Sequence, residues 1–391
     1  MICKMKERVI YKERKNTNCE KWDGLLEEYG RRDLLPVWVA DMDFEAPSCV
    51  QVALQKYIDF NVYGYYHVPD SFYDSIISWE KNYQGYRVKK EWIRFIPGVV
   101  PAIYWLIQMW TQKEESVLIM PPVYYPFFNS IKETGRQLVE CPLLKEDEYY
   151  KMDLELFENK ILKENVKVFI LCSPHNPVGR VWTKKELQAV LDICKKNEVY
   201  VIADEIHQDI VMSGYKKVSA ATCGNYDEYL ITLTSASKSF NIAGFQCAYA
   251  IIPNDKIRED YDQLAKKLHF TEGNNFSYIA TQAVYEHGRP WLEAVCNIVE
   301  SNYFYLKNEL KKVMPKVKIA PLEGTYLAWL DMSDYVDPKR MKETILDKCH
   351  LAVDFGELFG GENYKSHIRL NLATSRENIE EVVKRLQLIT N

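Results

Sequence analysis

Four short stretches of the chain hold residue types that could share one piece of chemistry. In TLTSASKSFNIAG, residues 232–244, Lys238 stands between Ser237 and Ser239 after a β-branched run, with Ser235 three residues ahead. A lysine amine held out of bulk water can form a Schiff base with a carbonyl and can carry a proton. The strand-like VYVIA (199–203) runs into Asp204 of DEIHQDI, and VKVFILC (166–172) runs into SPHNPVG, where Pro174 and Pro177 bracket Asn176. In FIPGVVPAI (95–103) a glycine turn precedes Val99, Val100 and a proline at a plausible first helical position. That arrangement points free N–H groups at an anion.

Singly, each stretch has an ordinary use. A strand-end aspartate caps a helix or forms a turn, Pro-His-Asn-Pro is a turn, GVVP opens a helix, and a lone lysine is a solvated surface group. Together, a carboxylate, an amide, a lysine between hydroxyls and an anion-ready helix start suit a phosphorylated heteroaromatic aldehyde, pyridoxal 5′-phosphate.

For these groups to meet, the elements around them must bring them to one edge. Short apolar runs, VLIM (117–120), VKVFILC, VYVIA, YLITLTS (229–235) and AYAII (248–252), alternate with longer segments, several of them helix-like. The alternation predicts an α/β fold with a mostly parallel central sheet flanked by helices, in which ligands sit beyond the carboxyl ends of the strands. Thr183-Lys184-Lys185-Glu186 reads as a capping box before an apolar stripe of Leu187, Val190, Leu191 and Cys194. After residue 290 a long amphipathic stretch (291–314), a strand-like EGTYLAWLDM (323–332) and a capped helix within 374–389 predict a smaller α+β domain. The expected division is 46–285 for the large cofactor-binding domain and 1–45 with 286–391 for the small one.

Composition narrows the partners. Fifty basic against fifty-five acidic residues give a net charge of −5, which makes no electrostatic case for nucleic acid or an acidic membrane. The start, MICKMKERVIYKERKNT, lacks the apolar core of an export signal, and the apolar stretch VVPAIYWLIQMW (99–110) is too short to span a bilayer. Ten cysteines without a C-x-x-C pair, and seven histidines without H-x-x-x-H, predict neither a disulfide framework nor a metal site. Reduced thiols fit a cytoplasmic protein acting on small molecules.

SPHNPVG, ADEIHQDI, TSASKSFNIAGFQ and HIRLNLA (367–373) occur in the order and approximate spacing of the aspartate-aminotransferase superfamily. Over essentially its whole length the chain resembles these fold type I pyridoxal-phosphate enzymes. VWVADMDFEAP (37–47), DEIHQDI and SKSFNIAG resemble more narrowly the C–S lyase branch, the cystathionine β-lyases and cysteine-S-conjugate β-lyases. The resemblance makes Lys238 the cofactor lysine and the base at Cα. It puts Asp204 on the pyridine nitrogen, Asn176 on the ring's 3-oxygen, and Tyr124 against the ring face, with Tyr125 beside it competing for that place. Val99 and Val100 N–H groups and the Ser235 and Ser237 hydroxyls would hold the phosphate. His207 falls where many aminotransferases have a tyrosine reaching the 3-oxygen, and packing beneath the ring is the alternative. Arg369 matches the arginine that grips the substrate α-carboxylate, although an arginine in a strand-like alternation ordinarily faces solvent. Tyr65, in VYGYYHVPD (62–70), matches a tyrosine given to the neighbouring subunit's phosphate, which implies a homodimer with a shared active site. Gln246 stands where many members carry a phosphate-binding arginine, a departure common in the lyase branch. The implied activity is β-elimination from L-cystathionine or an S-substituted L-cysteine, giving a thiol, pyruvate and ammonia. An aminotransferase, or a fold that acts mainly by binding a regulatory partner, are the alternatives.

Overall fold

The computed structural model describes residues 8–270 and 272–390; the first seven residues of the charge-rich start lie outside them. A seven-stranded sheet organises the chain: β1 (Ile93–Ile96), β2 (Ser116–Ile119), β3 (Gln137–Glu140), β4 (Val166–Cys172), β5 (Tyr200–Asp204), β6 (Leu230–Thr234) and β7 (Ala248–Ile251), in the order β1-β7-β6-β5-β4-β2-β3. β2 to β6 pair in parallel, and β7 runs against both its neighbours.

Strand composition accounts for the layering. In β4, Val168, Ile170 and Cys172 enter one core with Ile231 and Leu233, while Phe169 and Leu171 enter another with Val201 and Ala203. Side chains alternate across a strand, so a run apolar at every position needs cover on both faces. Helix α1 (Val99–Trp110) covers the first face with Ala102, Ile103, Leu106 and Ile107. Helix α2 (Lys184–Lys196) covers the second with Leu187, Val190, Leu191 and Cys194, the stripe expected from its spacing. The capping box at its start forms, Glu186 N donating to Thr183 Oγ1 and Thr183 N to Glu186 Oε2.

The texture changes near residue 289, as expected. Helix α3 (Arg289–Val313) leads into an antiparallel sheet of β8 (Lys318–Ile319), β9 (Leu327–Asp331), β10 (Asp354–Phe355) and β11 (His367–Asn371), ordered β8-β9-β11-β10, and α4 (Arg376–Gln387) follows. Leu35–Pro36 pairs in parallel with Leu351–Ala352, which ties the N-terminal segment to this part of the chain. Among the described residues no helix is long and apolar enough to cross a membrane, and Cys19, Cys141, Cys172, Cys194, Cys223, Cys247, Cys296 and Cys349 are free thiols.

A buried ion cluster joins the small antiparallel sheet to the turn after β4. Arg180 donates through Nε to Glu323 Oε2 at 2.9 Å and through Nη2 to Glu186 Oε1 at 2.9 Å, while Val181 N donates to Glu323 Oε2 at 2.8 Å. The N–H groups of Glu323 and Gly324 both reach Gly179 O, at 3.0 and 2.9 Å. Gly179 has φ +72°, and a Cβ there would meet Leu322 Cδ1 at 3.2 Å, so glycine serves both the turn and the close approach. Removing one partner of a buried pair leaves a charge without compensation. Glu323→Ala is therefore expected to lower stability by about 3 kcal/mol, read from the denaturant midpoint. Lys12→Ala, which breaks an exposed pair with Glu45, is expected to cost under about 1 kcal/mol.

Candidate active site

The carboxyl ends of β4, β5 and β6 lie side by side: Cys172 is the register partner of Asp204, and Asp204 of Leu233. The chain leaves β6 through Ser235 into a turn in which Phe240 N donates to Ala236 O and Ile242 N to Ser237 O, at 3.0 and 3.1 Å. That turn presents Lys238 to a cavity of roughly 200 Å³ lined also by Val99, Val100, Tyr124, Asn176, Asp204, His207, Ser235, Ser237 and Gln246. Residues expected from four separate stretches thus meet in one space.

Lys238 Nζ donates to Ala40 O at 2.8 Å, and the Tyr326 hydroxyl donates to the same carbonyl at 2.8 Å. Burial lowers the Lys238 pKa, with Arg369 adding to the effect and Asp41 and Asp204 opposing it. Asp204 is buried; its Oδ1 accepts from Ile206 N at 3.0 Å, and burial still pushes its pKa up to about 7. His207 is buried with its ring edge-on to Tyr326, and burial, Lys238 and Arg369 take its pKa down to about 3. Its Nδ1 has no hydrogen-bond partner among the described residues. A half-satisfied carboxylate and an orphaned ring nitrogen beside a low-pKa lysine are what a polar aromatic ligand could complete.

At the other end of the cavity α1 begins at Val99, so Pro101 is its third residue, not its first. Proline anywhere in the first turn satisfies the same constraint, because those N–H groups have no intrahelical acceptor. Gly98 offers no side-chain cap, Pro101 has no N–H, and Ala102 N already bonds Gly98 O at 3.3 Å. The donors left at this terminus are those of Val99 and Val100. Ser235 Oγ lies 2.6 Å from both Ser237 Oγ and Cys247 O and accepts from Ser237 N at 2.9 Å. It is engaged by protein groups and orders Ser237, which is the less buried of the two. Gln246, with φ +51°, is exposed at the rim.

Arg369 departs from the solvent-facing position usual for a strand arginine. It is buried, with Nη1 donating to Asn176 Oδ1 at 3.1 Å, Nη2 to Trp38 O at 3.0 Å and to Asp354, and its guanidinium over the Phe359 ring at 5.0 Å. Asn371, two residues on, donates through Nδ2 to Val39 O at 2.6 Å and Asp41 O at 2.5 Å. IRLNLA and VWVADMDF therefore belong to one construction, in which β11 holds the 38–41 backbone against the cavity. Tyr124 lines the cavity, whereas Tyr125 turns an edge toward Phe359, with centroids 6.2 Å apart. Tyr65 is away from the cavity: it is fully exposed on the irregular 61–69 segment beside exposed Val62 and Tyr63. Sequence reasoning missed Asp354, Tyr326 and the carbonyls of Trp38 and Ala40. A backbone carbonyl leaves no mark in a sequence, and Asp354 is one of fifty-five acidic residues.

The model of the family described as aminotransferase class I and II matches residues 38–386. Cystathionine beta-lyase PatB of Bacillus subtilis (strain 168) is 34% identical over 96% of this chain and 97% of its own length. A PLP-bound crystal structure from Clostridium difficile 630, provisionally described as an aminotransferase, superposes with a TM-score of 0.94 at 38% identity, covering 98% of this chain and 99% of that one. The PLP-bound C–S lyase of Staphylococcus hominis gives a TM-score of 0.91 at 33% identity, covering 98% and 97%. A match across nearly the whole chain, together with a cavity assembled at the strand ends, means that the chain belongs to the aminotransferase class I and II family, fold type I, and within it to the C–S lyase branch.

Proposed function

We propose that this protein is a pyridoxal-phosphate-dependent carbon–sulfur β-lyase, converting L-cystathionine or an S-substituted L-cysteine and water to a thiol, pyruvate and ammonia. The observation that carries the reading is the meeting of Lys238 and Asp204 in one buried cavity, with Arg369 held behind Asn176. Similarity to a cystathionine β-lyase and a C–S lyase supports the choice of reaction. When bound, the cofactor supplies an aldehyde for the substrate amine and a ring that accepts electrons from Cα.

The chain's own groups divide the remaining work. Lys238, its ammonium disfavoured by burial, takes the Cα proton. Asp204 holds the proton on the pyridine nitrogen. Asn176 Oδ1 accepts from Arg369, which leaves its Nδ2 donors for the ring's 3-oxygen. Val99 and Val100 N–H and the Ser237 hydroxyl hold the phosphate, with Ser235 ordering Ser237. Tyr124 and His207 would line the ring's place in the cavity, and Arg369 would take the substrate carboxylate through an N–H that its protein acceptors leave free. Tyr65 reaches the phosphate of a second subunit, so the enzyme works as a homodimer; exposed Phe60, Val62 and Tyr63 beside it support that reading. In the same reading the chain divides into a large cofactor-binding domain, 46–285, and a small one, 1–45 with 286–391. The free thiols favour the cytoplasm.

Incubation with cystathionine or an S-alkyl cysteine and no oxo acid is expected to release pyruvate and ammonia over many turnovers, and Lys238→Ala to lose about 10²-fold or more of that activity. A requirement for added 2-oxoglutarate, with no ammonia formed, would replace the lyase with an aminotransferase. Mixing Tyr65→Phe with Lys238→Ala protein is expected to restore part of the activity through heterodimers holding one intact site. Verified heterodimers that stay inactive, from a severely impaired Tyr65→Phe parent, would remove Tyr65 from the partner's site.

Asp204 links the cofactor to pH. Its folded pKa of about 7 lies above the ordinary carboxylate value, so burial of the charged form costs the cofactor-free fold stability as pH rises from about 4 to 7. Asp204→Asn is expected to raise cofactor-free stability by roughly 1–3 kcal/mol at pH 8 and not at pH 4, while abolishing turnover. Thermal unfolding of cofactor-free protein at the two pH values checks the sign; equal shifts at both would contradict it.

A further inference from the structure

Arg369 has a charged partner of its own. In the antiparallel pair of β10 and β11, Asp354 and Arg369 are direct cross-strand neighbours, and the Asp354 carboxylate accepts from Arg369 Nη2. Their side chains are 9% and 3% exposed. Taking two charges out of water carries a desolvation cost, and an apolar pair of similar volume often folds as well or better. Stability alone therefore does not account for a charged pair at this place. Three acceptors surround the guanidinium: the neutral Trp38 O and Asn176 Oδ1, at 3.0 and 3.1 Å, and the charged Asp354. A charge-assisted bond is the stronger kind, so Asp354 dominates the orientation. Nε is left buried with no acceptor among the described residues, and an unpaired buried donor persists where something else completes it.

We propose that Asp354 is a positioning residue for substrate recognition: it fixes the plane and rotation of the Arg369 guanidinium so that its unpartnered donors meet the substrate α-carboxylate. The inference rests on the reading above that Arg369 holds that carboxylate. Asp354 touches neither substrate nor cofactor; it acts through the arginine.

Steady-state kinetics on cofactor-loaded protein, with an S-alkyl cysteine and with its carboxamide, test this. Asp354→Ala is expected to raise KM for the acid about tenfold or more with kcat nearly unchanged, because the loss is of ground-state and transition-state binding alike. KM for the carboxamide, which brings no charge to the guanidinium, is expected to move little. Asp354→Asn, which keeps an acceptor at the same place, is expected to bring KM for the acid back toward wild type. Asp354→Glu keeps the charge but displaces it by one methylene, so it is expected to behave like Asp354→Ala, and it decides the matter if the alanine variant does not accumulate as folded protein. Arg369→Ala serves as the reference and is expected to raise KM for the acid at least as far. If Arg369→Ala does so while Asp354→Glu and Asp354→Ala keep wild-type KM, the positioning role is wrong and the carboxylate reading stands. Equal losses for acid and carboxamide would likewise overturn it in favour of a structural role. If Arg369→Ala itself leaves KM unchanged, the carboxylate reading fails, and this inference falls with it.

Discussion

A guanidinium buried in a protein interior has to be met by acceptors, and those around Arg369 come from parts of the chain far apart in sequence. Trp38 O belongs to the N-terminal segment, Asn176 to the turn after β4, and Asp354 to the neighbouring strand of the small sheet. An unmet buried charge costs several kcal/mol, so these three elements cannot drift apart without exposing the arginine. Asn371 repeats the device two residues on by holding the carbonyls of Val39 and Asp41. Between those two lies Ala40, whose carbonyl accepts from both Lys238 and Tyr326. One edge of the cavity is thus built from a backbone that β11 fixes in place.

The other edge follows from parallel pairing. Because β4, β5 and β6 run the same way and in register, the residues that follow their ends come out together. Three of the titratable groups lining the cavity they share are shifted by burial: Asp204 is pushed up, while Lys238 and His207 are pushed down. Each shift favours a neutral form. For Lys238 that is the form a base needs. For Asp204 it measures how strongly the site calls for a cation opposite the carboxylate, a demand that a protonated ring nitrogen meets.

What could be read from the sequence was whatever sat at the tip of a recognisable strand. Asp204, Asn176 and the turn carrying Lys238 each follow a short β-branched run, so their convergence needed only the inference of a parallel sheet. The capping box at Thr183 and Glu186 was equally local. Features set by register between distant strands were not legible. Nothing near Asp354 marks it as the neighbour of Arg369, and the burial of Arg369 runs against the usual use of a strand arginine. The choice between Tyr124 and Tyr125 depends on which ring faces the cavity, which adjacent positions in a turn do not reveal. The helix start at Val99 was misjudged by two residues because Val99 and Val100 are β-branched and proline invites the first position, although any place in the first turn suits it.

Gln246 gives the phosphate end of the site its character. In the proposed reading, a dianionic group is met there by two backbone N–H groups, the Ser237 hydroxyl and a helix terminus carrying roughly half a positive charge, with no guanidinium among the cavity-lining residues at that end. Neutral hydrogen bonds contribute about 1 kcal/mol each, well below a bidentate arginine contact. The balance then has to come from exclusion of water and from further donors, and the Tyr65 segment is the available source. It is irregular, aromatic and exposed, and its hydroxyl has no use within its own subunit's cavity. In that proposed dimer, a site that omits its own cation would make its grip on the cofactor depend on assembly. Separating the subunits would then remove a phosphate donor and admit water at the same end of the cavity, and cofactor retention and dimerisation would become one equilibrium instead of two.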